Sequence, residues 1–326
     1  MLAIAPQGNA LVLRNATPAC IPATPISYQP RILVVVPGHG IPERSHVVQA
    51  NLRRIAAQRV CATCLMFVYN NKLSNNTLAE RFPTCRFTRQ EGFWMHHLRA
   101  VPAVDVNAHD FVLLMIDGVE MNPDVDLYVL SRIMEANCLS LAGPACGSCK
   151  SKQQIRPVHT QPSYAVGRRV DYLDPQIQMY TPGAFLCLQR LVDHVGLGID
   201  PTGWSVSALS TSFCASRVGI VDAMTVEKIY SKSSYDWVEA ERTAEQARQS
   251  AIHRMPGLEV AKMKMVYNAL RPPLLEQLAA ASPGPEPHLP LLDVILIRPS
   301  LVTAEQSATM RALRWRLRLH SVRPLP

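Results

Sequence analysis

Two carboxylates follow directly on a short apolar run: Phe111-Val-Leu-Leu-Met-Ile116 ends on Asp117-Gly118-Val119-Glu120. Carboxylates at the end of a buried strand can share a hard divalent ion, Mn2+ or Mg2+, with two phosphate oxygens and so neutralise charge on a departing phosphate. A plain Asp-Gly turn with a solvated Glu120 is the competing reading of the same residues. Two other apolar runs also end on groups suited to a ligand. Arg31-Ile-Leu-Val-Val-Val36 stops at Pro37-Gly38-His39-Gly40, where glycines admit a close backbone approach, and Cys64-Leu-Met-Phe-Val-Tyr69 stops at Asn70-Asn71. A further carboxylate, Asp222, follows the apolar run Val218 to Val221 and must find a partner or solvent.

Histidine and cysteine give weaker signals. His96 and His97 are adjacent, so on a helix they point about 100° apart and do not form a metal pair. They are read as a helix surface, with His97 or Arg99 reaching towards a ligand. The pairs Cys61/Cys64 and Cys146/Cys149 have thiolate spacing, but a zinc ribbon separates its pairs by roughly 15–20 residues, and here the two pairs stand far apart. Cys64 also opens an apolar strand. Burial as small hydrophobes is therefore preferred to a disulfide or a metal site.

The elements that must position these residues alternate. Arg31 to Val36 is β-branched and apolar throughout, as suits a strand buried on both faces. Arg44 to Gln58 then sets Val47, Val48, Leu52 and Ile55 at helical spacing, and Cys64 to Tyr69 repeats the strand signature. Phe111 to Ile116 is the next strand, Pro123 to Asn137 the next helix, and Leu139-Ser-Leu-Ala returns as a strand. Mixed strand character over Tyr164 to Tyr180 precedes a helix at Ala184 to His194. This order predicts an α/β domain with a mostly parallel, Rossmann-like sheet flanked by helices. In such sheets ligands bind beyond the carboxyl ends of the strands, where the strand order reverses.

Outside that order, residues 1–30 carry Pro6, Pro18, Pro22, Pro25 and Pro30 and read as an irregular arm. Gly147 to Pro162 is polar and reads as a loop, and Tyr235 to Ala251 as a solvated, charged helix. Residues 258–326 read as a helical, proline-rich extension. The predicted division is an arm over 1–30, a domain over 31–257 with halves at 31–150 and 151–257, and the extension.

Composition limits the function classes. The 326 residues are 48% hydrophobic, enough for a full core. The net charge of +8 is concentrated at the C-terminus, at Arg311, Arg314, Arg316, Arg318 and Arg323. No basic stretch alternates with aromatics, so nucleic acid is not expected as a partner. No run approaches the roughly 18 apolar residues of a bilayer span, and Pro6, Gly8 and Asn9 interrupt the apolar start that a signal peptide needs. A soluble chain is expected, with the compartment, cytoplasmic or secretory lumen, left open.

Taken in order, these motifs resemble the A-type (GT-A) glycosyltransferases over Arg31 to Pro256. Asp117-Gly-Val-Glu120 is similar to that family's acidic metal motif, usually Asp-x-Asp or Asp-Asp-Val-Asp. Gly203-Trp204-Ser-Val-Ser207, followed by Gly219-Ile-Val-Asp222, resembles a paired downstream motif that ends in a histidine six residues on. Pro37-Gly-His-Gly40, Phe67-Val-Tyr69 and Trp94-Met-His-His-Leu-Arg99 fit the same series. The resemblance implies transfer of a sugar from a nucleoside diphosphate sugar to an acceptor. It places Asp117 and Glu120 on a metal, and Pro37, Gly38, His39, Gly40, Asn70 and Arg99 near the nucleotide. Trp204, Ser207 and Asp222 fall on the acceptor side, with Asp222 the candidate catalytic residue. The chain departs from the pattern at Gly118, Ser207 and Lys228, which stand where a second aspartate, a carboxylate and a histidine ligand are usual. These departures imply altered metal use, with Lys228 supplying positive charge beside the diphosphate, or a fold kept for binding without transfer.

Overall fold

The structure, a computed structural model, describes residues 28–69, 72–92, 94–147, 166–170, 172–195, 207, 210–215, 217–229, 242, 243, 246, 249, 268 and 269. Among the described residues ten strands form one sheet, in the order β10-β7-β9-β6-β8-β4-β1-β2-β3, with β5 paired to β9. The strands are β1 (Arg31–His39), β2 (Cys61–Val68), β3 (Cys85–Arg89), β4 (Phe111–Met115), β5 (Val119–Met121), β6 (Leu141–Cys146), β7 (Arg168–Val170), β8 (Ile177–Tyr180), β9 (Val218–Lys228) and β10 (Asn268–Ala269). The helices are α1 (Ser45–Ala56), α2 (Asn75–Arg81), α3 (Trp94–Arg99), α4 (Ala103–Asn107), α5 (Leu127–Asn137) and α6 (Pro182–Val195).

The expected α/β architecture is present. Strands β3-β2-β1-β4 are all parallel. The parallel run stops at β4, where β8 inserts antiparallel between β4 and β6. β6 and β9 are again parallel, and β7 and β10 close that end antiparallel. The short pair between β10 and β7 joins Asn268 and Ala269 to the sheet. No described helix is long and apolar enough to cross a membrane.

Alternation along the strands sorts the core into two layers. Leu33, Val35, Leu65, Phe67, Val112 and Leu114 meet Met95 and Leu98 of α3 and Phe185, Leu188 and Val192 of α6. Ile32, Val34, Val36, Met66, Leu113 and Met115 face the other way, onto Val48 and Ile55 of α1 and Leu130, Ile133 and Met134 of α5. Both faces are covered, which explains why β1 and β4 read as continuous apolar runs.

Side-chain amides, Asn51 buried in α1 and Gln58 partly buried just after it, fix how this segment meets the sheet. Asn51 Nδ2 donates to Val119 O at 2.7 Å, and Asn51 Oδ1 accepts from Met121 N at 2.9 Å. Gln58 does the same to the next segment, accepting from Leu127 N at 2.7 Å and donating to Val125 O at 2.8 Å. These side chains pair backbone groups that would otherwise be orphaned beside the helix. Helix α5 begins at Leu127 rather than at Pro123, because Asp126 accepts from Val129 N and caps it.

The cysteines correct the sequence reading. Cys64 bonds to Cys85, its direct neighbour across the β2/β3 register, and Cys187 bonds to Cys214. Cys138 and Cys146 each take part in a further disulfide, not with one another. Cys61, expected beside Cys64, is an exposed free thiol. Burial as isolated hydrophobes fails because parallel pairing brings Cys64 and Cys85 to a Cα separation of 4.4 Å, at the short end of disulfide geometry. The polar loop Gly147 to Pro162 lies almost wholly outside the described residues, as does most of the charged segment Tyr235 to Ala251, of which Arg242, Thr243, Gln246 and Gln249 are helical.

Candidate functional site

Chain order places the site. β2 and β3 lie on one side of β1 and β4 on the other, so the strand order reverses between β1 and β4. The crevice beyond their carboxyl ends is the position where open α/β sheets bind ligands. Pro37 to Gly40 come from β1 and Asp117 from β4, so both segments arrive there.

Gly38 leaves β1 with φ +76°, a conformation that side chains rarely adopt. A Cβ on it would lie 3.3 Å from both Cε1 and Nδ1 of His97. His97 does not lie on the surface expected of it. It is 1% exposed, stacks on Phe67 with ring centroids 5.5 Å apart, and bonds through Nε2 to Gln90 O at 3.0 Å. Helix α3 turns this face inward onto the sheet, and His96 takes the outer one. Burial pushes the His97 pKa down, against the hydrogen bond to Gln90, and the neighbouring His96 adds to the lowering. The ring is therefore neutral near pH 7, its Nε2–H donating to Gln90. Gly38→Ala is expected to cost about 1–2 kcal/mol, from the left-handed backbone and the crowding of His97. Urea unfolding of the variant measures this, and an unchanged midpoint would show that the β1 turn is not held in that conformation.

Next in the chain, His39 is fully buried and bridges two partners. Its Nδ1 lies 3.1 Å from Asp117 Oδ2, and its Nε2 lies 3.1 Å from Ser45 Oγ. The other oxygen of Asp117, Oδ1, accepts from Arg44 Nη1 at 2.9 Å. Arg44 sits in a 3-10 turn, Pro42–Arg44, immediately before α1. Its guanidinium also covers Gly118, where a Cβ would lie 3.4 Å from Nη1. Asp117 is itself only 6% exposed.

Glu120 is held elsewhere, by Arg54 Nη2 at 3.3 Å in the last turn of α1. The two carboxylates are thus tied to opposite ends of one helix. Both oxygens of Asp117 have protein donors, and no group of three or more His, Cys, Asp or Glu side chains among the described residues is arranged to hold a metal. The residues present do not fit a divalent ion shared by Asp117 and Glu120.

Lys228 closes β9 opposite Val119, and the following Ile229 N donates to Gly118 O at 2.9 Å. This brings the end of β9 to the Asp117-Gly118 turn. The charge of Lys228 also bears on Asp174, whose carboxyl is pushed up by burial and held back by Lys228 and by a hydrogen bond from Gln176.

Two residues assigned to the acceptor side, Ser207 and Asp222, are enclosed. Asp222 is 1% exposed and pairs with Arg168, which is fully buried. Ser207 is fully buried and accepts from Gln178 Nε2 at 3.0 Å, in a chain that continues through Tyr180 to Ser210. Arg99 pairs with Asp193 of α6 at the surface. Asn70 and Trp204 lie outside the described residues. The sequence reading missed Arg44, Ser45 and Arg168. Arg44 precedes a helix also bearing Arg53 and Arg54, and no local signal sets it apart.

No family model matches the chain, and no curated protein matches it. Among solved structures it is similar to S. aureus TarS 1-349, with a TM-score of 0.45 and 10% identity over 71% of this chain and 69% of that one. The same protein in complex with UDP gives a TM-score of 0.42 at 9% identity, over 71% and 70% of the two chains. The mannosyltransferase PcManGT from Pyrobaculum calidifontis, in complex with GDP-Man and Mn2+, gives 0.43 at 14% identity, over 92% and 85%.

Proposed function

We propose that the chain is a glycosyltransferase-like protein of the A-type fold that holds a nucleoside diphosphate sugar in the crevice beyond β1 and β4. One observation carries this reading. The His39, Asp117 and Arg44 cluster, drawn from segments more than 70 residues apart, is built at the point where the strand order reverses. A diphosphate lying there meets the glycine turn of β1, the guanidinium of Arg44 and the end of β9 with Lys228. Positive charge fixed in that position would stabilise a leaving diphosphate more than the bound sugar donor, which is how such a site accelerates transfer.

A second reading is favoured by the enclosure of Asp222 and Ser207. With Asp222 paired to Arg168 and Ser207 turned into a buried network, neither supplies a base to an acceptor hydroxyl. The fold would then bind a nucleotide without transferring its sugar. The cysteine pairs also bear on the compartment. Disulfides persist in oxidising surroundings, which favours the secretory lumen or an extracellular setting over the cytoplasm.

A thermal-shift panel of UDP, GDP and their sugars tests the shared part of both readings. At about 100 times its Kd, a bound nucleotide should add about 2.7 kcal/mol, or roughly 5–10 °C. No shift with any of them would remove the nucleotide reading. Release of UDP or GDP from the stabilising sugar, followed over hours, separates the two readings: turnover supports a transferase, and binding without release supports the second.

A further inference from the structure

We propose that Arg44 takes the place of a divalent cation in this site, its guanidinium, held by Asp117, binding the diphosphate so that nucleotide binding needs no metal. The inference rests on the nucleotide reading above and adds the group that meets the charge.

The donor set around Asp117 leads to it. Oδ1 holds Arg44 at 2.9 Å and Oδ2 faces His39 at 3.1 Å, so an incoming ion would have to displace a guanidinium or break a buried histidine contact. Its supposed partner Glu120 is committed to Arg54. Meanwhile Arg44 lies over Gly118, the position at which the acidic motif would carry another carboxylate. With no side chain at Gly118, the guanidinium lies directly against the turn.

Exposure sets the direction in which this charge acts. The side chain of Asp117 is 8% exposed and that of Arg44 is 20% exposed. The anion is therefore the inner member of the pair, and a ligand entering the crevice meets the cation first. His39 is fully buried between Ser45 and Asp117, which fixes the carboxylate and through it the guanidinium. The amino end of α1, next in the chain, adds partial positive charge of the same sign.

Guanidinium chemistry suits the task. The group stays charged at all physiological pH values, and its planar fork of five N–H donors can hold a carboxylate on one edge and reach phosphate oxygens with another. Lys228 is a weaker candidate for the same role, because its charge is partly spent on Asp174.

Calorimetric titration of the full chain with UDP and with GDP, in EDTA and in Mn2+, tests the inference. The nucleotide that binds should do so with affinities within about twofold in the two conditions, and more weakly as salt rises. Arg44→Ala should lose about tenfold or more of that affinity in EDTA, and Arg44→Lys should keep only part of it, since an ammonium is a point charge. Gly118→Asp supplies a check that does not depend on Arg44→Ala folding. The new carboxylate should draw the guanidinium down, weaken binding in EDTA and make Mn2+ improve it. Binding by the parent only in Mn2+, or variants that bind in EDTA as the parent does, would overturn the cation role while leaving the nucleotide reading intact. Failure of both UDP and GDP in every condition would overturn the nucleotide reading and this inference with it.

Discussion

Arg168→Met is expected to destabilise the domain by about 3–5 kcal/mol, because it leaves the carboxylate of Asp222 buried without its guanidinium. Arg168 lies directly opposite Ile220 across the β7/β9 pair, so Asp222, two residues on, shares its face of the sheet. Both side chains are sealed, at 0% and 1% exposure, and solvent cannot replace the lost partner. Asp222→Leu alone should cost a similar amount by stranding the arginine. The double variant should recover most of the loss, since a buried ion pair replaced whole by apolar side chains is often neutral. Urea unfolding of all four proteins closes the cycle. Losses below about 1 kcal/mol in the single variants would mean that this pair is solvated, and would return Asp222 to the list of groups available to an acceptor.

The second large effect is expected at Cys64 and Cys85. Their bond joins β2 to β3 and closes a loop with a sequence separation of 21, for which chain entropy gives about 3 kcal/mol. Cys64→Ala with Cys85→Ala should therefore lower the melting temperature by roughly 6–12 °C. Cys61 should remain open to thiol reagents without reduction, being exposed and free. A double variant as stable as the parent, or labelling of Cys64 in the native chain, would contradict the bond and the oxidising compartment inferred from it.

The parts of this fold that were legible in the sequence are those set by local pattern. Ile32 to Val36 and Phe111 to Met115 are apolar at every position because both sheet faces are covered, and that alone marks them as interior strands. Asp117 was legible as a strand-end group for the same reason. What local pattern omits is pairing between distant residues. β8 gives no sign that it will run antiparallel between β4 and β6, since that depends on where the chain returns after β7. The sequence shows that Asp222 needs a partner, but Arg168 lies 54 residues earlier in a strand too short to show a period. Spacing groups Cys64 with Cys61, whereas the register of β2 and β3 selects Cys85. Arg44 reaches Asp117 across 73 residues, and only the fold shows that the carboxylate available to a metal already holds an arginine.

Amide hydrogen exchange of the full chain, with and without saturating UDP or GDP, tests the central claim most directly because it locates the site as well as detecting binding. Protection is expected at residues 37–45 and 116–119, the turn of β1, the start of α1 and the end of β4, with little change in α6. Protection confined to other segments, or none with a nucleotide shown by calorimetry to bind, would contradict a nucleotide site at the ends of β1 and β4.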